Sequence, residues 1–129
     1  ALVRNVKSKV PSQDYLVLGG DFNTQVRNEE CVKVMANIVV VAGGHPHDQQ
    51  GREGTNAARA KPYDWVLADD DLDVLHVPIQ MGPKVFKDGL VVDTRVSPAL
   101  PLPGVQEGDS DAENMQHMAV VRDFVLPAK

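Results

Sequence analysis

The chain has 129 residues, the length of one ordinary domain, and a chain this long buries roughly 65–70% of the surface its unfolded form exposes, enough for a core. Apolar residues make up 43% of it. Thirteen basic against 18 acidic residues give a net charge of −5, which excludes a basic coat for nucleic acid but not an enzyme that meets phosphate through a metal ion.

Leu2, Val3, Val6 and Val10 recur at helical spacing and predict the end of an amphipathic helix over residues 1–9, stopped by Pro11 and Ser12. Tyr15 to Gly20, "YLVLGG", is a short apolar run between turn residues, the pattern of a strand buried on both faces. Arg27 to Asn37 reads as a helix with Val32, Met35 and Ala36 facing inward. The single cysteine, Cys31, lies in this helix; it cannot pair within the chain and reads as a small buried hydrophobe. "IVVVA", Ile38 to Ala42, is β-branched and predicts a second strand.

Residues 43–61, "GGHPHDQQGREGTNAARAK", carry four glycines and almost no apolar side chains, so they predict a long functional or mobile loop. Strand character returns at Tyr63 to Ala68, at Asp73 to Ile79 and at Gly89 to Val96. Residues 97–114 are rich in proline, glycine and acids and predict a second loop, and His117 to Leu126 predicts a final strand. No apolar run approaches the ~20 residues of a membrane span, and no signal peptide is visible. The chain opens on Ala, so a cleaved signal, a propeptide or a further upstream segment all remain compatible with it, and no compartment is assigned. The order of elements predicts one α/β layered (α+β) fold over 1–129 with mixed strand directions.

Three predicted strand ends carry chemistry: Asp21 and Asn23 after "LVLGG", Asp64 in "KPYDWVL", and His117 heading "HMAVV". A carboxylate can take a proton from water, an amide can donate to a phosphoryl oxygen, and a second carboxylate can hold an imidazole in one tautomer. Each residue alone also suits a structural role: an N-cap or turn for Asp21 and Asn23, a turn for Asp64, a satisfied structural histidine for His117. The combination and its order favour the chemical reading. Trp65, next to Asp64, falls on the opposite strand face and is assigned to the core.

"LGGDFNT", "KPYDWVL" and "QHMAVV", in that order, resemble the endonuclease/exonuclease/phosphatase superfamily, the DNase I-like fold. The resemblance runs from about Tyr15 to Val125. It implies a four-layer α/β sandwich of which this chain is the C-terminal half. It implies that Asp21 positions or deprotonates the attacking water and that Asn23 contacts the scissile phosphate. His117 is implied to contact the phosphate or act as acid–base partner, with Asp64 orienting it. It further implies Mg²⁺, or Mn²⁺ or Ca²⁺, as cofactor and a phosphodiester substrate, nucleic acid first. Phosphatase or phospholipid phosphodiesterase activity is the alternative within the superfamily, and a non-catalytic binding module that keeps the fold is the alternative outside catalysis.

The sequence departs from that family in two ways. Gln116 stands where the family has Asp, keeping a carbonyl oxygen as metal ligand but no charge; Asp109, Asp111 and Glu113 lie just upstream as possible substitutes. The N-terminal half, with its own metal ligand, is not in these residues, so a second chain or a covalent segment is expected to supply it and to cover the apolar face. Among the remaining candidates, His45 and His47 with Asp48 form an H-x-H metal motif or a substrate-facing loop. Arg52, Arg59 and Lys61 face a nucleic-acid backbone or are ordinary solvated charges, and Asn56 is a site-lining amide for substrate.

Overall fold

The computed structural model describes residues 2–98 and 100–128, with burial described from residue 4 onward. Helices and strands are short and interleaved, a mixed α+β architecture. In chain order they are α1 (Leu2–Lys7), β1 (Val17–Asp21), α2 (Glu30–Met35), β2 (Asp64–Ala68), α3 (Asp70–Asp73), β3 (His76–Val77), β4 (Ile79–Met81), β5 (Lys84–Phe86), β6 (Leu90–Val92), β7 (Ala119–Val121) and β8 (Asp123–Phe124). The strands form antiparallel pairs β1–β2, β3–β8, β4–β5 and β6–β7. Of the helix expected over 1–9, Leu2–Lys7 is helical and Ala1 lies outside the described residues.

β1 and β2 carry the site. Their register sets Val17 opposite Ala68 and Asp21 opposite Asp64, so one strand ends on an acid where the other begins on one. β1 is buried on one face only, contrary to the sequence expectation. Leu16 and Leu18 pack on the cluster of Val32, Val39, Trp65 and Leu67, whereas Tyr15 and Val17 point away, and Val17 is 50% exposed. The period of two that separates those faces was hidden because both sets are apolar. Trp65 is buried as expected, and its indole Nε1–H donates to the Thr24 hydroxyl at 2.9 Å. Full burial of each such side chain contributes about 1.5–3 kcal/mol.

α2 is shorter than the 27–37 span expected. Glu29, the residue before it, turns its carboxylate back to the Gln25 and Val26 N–H groups, which closes a turn where the helix was expected to begin. Val32 is buried and Met35 packs beside it, but Ala36 and Cys31 are exposed. Cys31 precedes the inward Val32 by about 100° of helical rotation, which carries it off the core stripe. The strand expected over 38–42 does not form: the Ile38 and Val39 N–H groups donate to the Met35 carbonyl at 2.8 and 3.1 Å and continue the turn that ends α2, and the Val40 N–H donates to the Ala68 carbonyl at 2.8 Å, at the far end of β2 from the site.

The strand predicted over 73–79 forms only in part: Asp73 ends a short helix, α3, Val74 and Leu75 continue its turn, and β-structure begins at His76. Asp69 caps α3, its side chain accepting from the Leu72 N–H at 3.3 Å and from Lys7 and the Leu16 N–H. β3 follows, then a β4–β5 hairpin turning at Gly82, whose φ of 59° is a backbone geometry that suits glycine. Ile79, Phe86 and Leu90 form a second core cluster. The final predicted strand is divided: β7 pairs with β6, and β8 crosses to pair with β3. Arg122 stands at the change of partner, bonded to Asp73 at 2.8 Å. Among the described residues, no helix is long and apolar enough to cross a membrane.

Candidate functional site

Asp21, Asp64 and His117 come together at the β1–β2 strand ends. The His117 Nδ1 lies 3.0 Å and 3.2 Å from the two Asp64 carboxylate oxygens. This makes Nδ1 the donor and leaves Nε2 facing Asp21, whose Oδ2 is 3.8 Å away. The side chains of Asp21 and His117 are 37% and 36% exposed and that of Asp64 is 19% exposed, so the acid behind the imidazole is more sheltered than the groups in front of it. An imidazole held from behind, with its free nitrogen beside a second carboxylate at the surface, can exchange a proton with a reactant placed there.

Asn23 has a left-handed backbone (φ 50°), a conformation asparagine tolerates better than most residues, and this folds it back on Asp21. Its N–H donates to Asp21 Oδ1 at 2.8 Å and its Nδ2 to Oδ2 at 3.2 Å. Both Asp21 oxygens are therefore fixed, and the second Nδ2 hydrogen of Asn23 remains for another acceptor. Thus Asn23 sits where the sequence placed it but orients Asp21 as well.

His117 is placed by an isolated antiparallel bridge to Asn56, flanked by Ala57 N–H to the Gln116 carbonyl (2.9 Å) and Met118 N–H to the Thr55 carbonyl (2.7 Å). Asn56 serves the site through its backbone; its side-chain oxygen is occupied by the Ala60 and Lys61 N–H groups at 2.8 and 2.9 Å. Gln116 is exposed beside His117. The Tyr63 ring packs on His117 with centroids 5.7 Å apart, and the Lys61 ammonium lies 6.0 Å from the Tyr63 centroid. Adjacency to Asp64 was the sequence signal available for Tyr63. For Thr55 there was none.

The loop over 43–61 is stitched to the fold, not free. Asp48 and Asp93, both buried, hold three arginines: Arg52 and Arg59 bond Asp48 at 2.7 and 2.9 Å, and Arg95 bonds Asp93 at 2.8 Å. Burial pushes both carboxyls up, but the guanidinium and backbone N–H groups around them prevail and hold them below the usual carboxylate range. Burial lowers Arg59 from its usual range, against the pull of Asp48 and Asp93. The Arg59 side chain is only 3% exposed, which corrects the expectation that it faces a nucleic-acid backbone. Arg52 is 40% exposed but bound to the same acids.

The H-x-H motif does not assemble a metal site. His45 meets the Trp65 ring edge-on and His47 meets Phe86, each at 5.8 Å between centroids, and Asp48 is taken by arginine. Burial first, then the nearby Arg27 charge, pushes the His45 imidazole below its usual value. Among the described residues, the one group of three or more ionisable ligands within reach of a common ion is Asp21, Asp64 and His117, their ligand atoms within 4.8 Å of one another. Asp109, Asp111 and Glu113 do not join it: Asp109 turns to the Gln106 N–H at 2.8 Å and Asp111 lies 3.9 Å from Arg95. A hard divalent cation takes one or two carboxylates and completes its shell with water and phosphate oxygens, so the cluster fits one through Asp21, since Asp64 is engaged with His117.

Comparison of the chain with family models, with curated proteins and with solved structures gives no match.

Proposed function

We propose that the protein hydrolyses phosphoric esters with a divalent metal ion, and that its substrate is a phosphodiester, nucleic acid first. The observation that carries this reading is the His117 imidazole held between Asp64 behind (3.0 Å) and Asp21 in front (3.8 Å) at the mouth of two paired strands. Asp21 would hold a hard cation through one oxygen and orient the attacking water through the other. Such a cation supplies positive charge against the phosphoryl oxygens. Asn23 offers its remaining amide hydrogen to one of those oxygens. His117 Nε2 exchanges a proton with the reacting group, and Asp64 keeps Nδ1–H in place so that Nε2 is the reactive nitrogen.

A second reading within the same chemistry, a smaller phosphate ester, draws support from Arg52 and Arg59. The two arginines that would line a polynucleotide track are engaged with Asp48 and Asp93. The half-domain reading draws support from exposed apolar side chains on and beside the strands, with Val17 50%, Val125 62% and Leu126 57% exposed. A second chain or covalent segment would cover them.

The test is Mg²⁺-dependent turnover of plasmid DNA, RNA, bis-p-nitrophenyl phosphate and p-nitrophenyl phosphate by the native assembly. Asp21→Ala and His117→Ala should each lower turnover by roughly 10²–10⁴-fold. Wild-type turnover in either variant refutes the mechanism. No turnover of any of the four esters with metal present refutes the hydrolase and favours a binding module.

A further inference from the structure

We infer that Thr55 is the positioning residue that sets the geometry of the Asp64–His117 pair; this rests on the proposed catalytic reading of that pair. Asp64 and His117 are 53 residues apart in sequence; Asp64 begins β2, whereas His117 stands two residues before β7, and β2 and β7 do not pair with each other. Their 3.0 Å contact therefore needs something that fixes one backbone against the other.

Thr55 touches both. Its side-chain hydroxyl oxygen accepts the Asp64 N–H at 2.8 Å. Its carbonyl accepts the Met118 N–H, the residue after His117, at 2.7 Å. Its own N–H donates to the Lys61 carbonyl at 2.8 Å, which closes the loop onto itself and fixes Thr55 in turn. The residue is 1% exposed, so no water stands ready to replace these partners. Two of the three bonds are backbone bonds that any residue could make. The one to Asp64 needs an oxygen on the β-carbon, which only Ser and Thr carry as a hydroxyl.

The bond matters because the pair is sensitive to small displacements. An imidazole and a carboxylate in near-ideal contact lose their geometry with a shift of about 1 Å, and misplacement of that size costs up to roughly 10²-fold in rate. Without an acceptor at position 55, the half-buried Asp64 N–H loses its partner, and the start of β2 relaxes toward another. The Asp64 carboxylate then no longer faces Nδ1 squarely. The neutral imidazole is free to carry its proton on Nε2, the nitrogen that must be free.

The experiment compares Thr55→Val, which keeps shape and removes the hydroxyl, with Thr55→Ser, which keeps the hydroxyl. The first readout is the ¹⁵N spectrum of the His117 ring in the folded protein, which reports the tautomer without any activity. Wild type and Thr55→Ser should show Nδ1–H, and Thr55→Val a mixture of tautomers. The second readout is turnover, where Thr55→Val should lose roughly 10–100-fold in kcat with KM changed by less than about twofold. A folded Thr55→Val with the wild-type tautomer overturns the inference, whatever its activity. An altered tautomer in a protein that hydrolyses no phosphate ester upholds the positioning role and refutes the hydrolase instead. If Thr55→Val does not fold, Thr55→Ala and Thr55→Cys, which also lack the hydroxyl, are read by the same spectrum.

Discussion

Asp48→Asn is the most demanding test of how the long loop is held. Asp48 is 1% exposed and accepts hydrogen bonds from the Gln50 and Arg52 N–H groups (2.8 and 2.9 Å) on one oxygen, and from Arg52 Nε (2.7 Å) and Arg59 Nη2 (2.9 Å) on the other. Asparagine can keep the backbone pair on its oxygen, but its NH₂ then faces two guanidinium donors. Two charge-assisted bonds are lost, each of about 1.5–3 kcal/mol. The Arg52 share is discounted because its side chain is 40% exposed and water replaces the bond. Arg59 has no such recourse: its side chain is 3% exposed, and it keeps the Arg52 carbonyl at 3.0 Å and, as its one remaining charged partner, Asp93 at 3.4 Å. Removing one partner from a buried pair costs about 3–5 kcal/mol, and the surviving Asp93 contact places this case at the low end, about 3 kcal/mol at pH 7. In urea unfolding, with a slope of about 2 kcal/mol/M, the midpoint should fall by about 1.5 M. The pH dependence follows from the lowered Asp48 carboxyl. A carboxyl depressed in the folded state contributes stability that is fully present above its unfolded value, about 3.9, and is lost as pH falls through the folded value. The variant and wild type should therefore converge in strong acid. A loss under about 1 kcal/mol at pH 7, or a deficit that stays constant from pH 7 into strong acid, refutes the role assigned to the network.

Further outcomes test the site and the surface. Asp64→Asn presents an amide donor to His117 Nδ1 and should lower turnover by roughly 10²–10⁴-fold while leaving the fold intact by circular dichroism; a variant within about twofold of wild type rules out Asp64 as the orienting group. Cys31 should react in the native protein with a thiol reagent as fast as a free thiol, and Cys31→Ser should change stability by less than about 0.5 kcal/mol, because the side chain is exposed. A thiol that reacts only after denaturation would restore the buried reading.

How far the sequence reached can be followed residue by residue. Asp21, Asn23, Asp64 and His117 were legible because strand ends are a local signal, an apolar run that stops on a polar side chain, and because acids, amides and imidazoles carry their chemistry wherever they are placed. Their convergence was an inference from order, and the distances of 3.0 and 3.8 Å are a property of packing. The loop over 43–61 was legible as a loop from its glycines, but not as one anchored by the buried side chains of Asp48, Thr55 and Arg59. Its anchors are ion pairs between residues as far apart as Arg52 and Asp93, and a charge 41 positions from its partner looks like any solvated charge. Arg59 was read as a surface cation for that reason. The last run, from His117, was legible as β-structure, yet its division between β6 and β3 depends on which edge lies within reach of each segment.

The sequence by itself determined that β-structure would run into Asp21 and onward from Asp64, that Trp65 would be in the core, and that Asp21, Asn23, Asp64 and His117 carry groups able to accept protons or form hydrogen bonds. These follow from periodicity and functional-group identity, which neighbours in space do not alter. Tertiary structure decided the rest. It turned Asp48 and Arg59 of the long loop inward, left Cys31 and Val17 in solvent, and gave Asn23 to Asp21. It also made Thr55, a residue with no signal in the chain, the link between Asp64 and the segment bearing His117. Burial and hydrogen-bond partnership are relations between distant residues, and only the folded chain brings both members of a relation together.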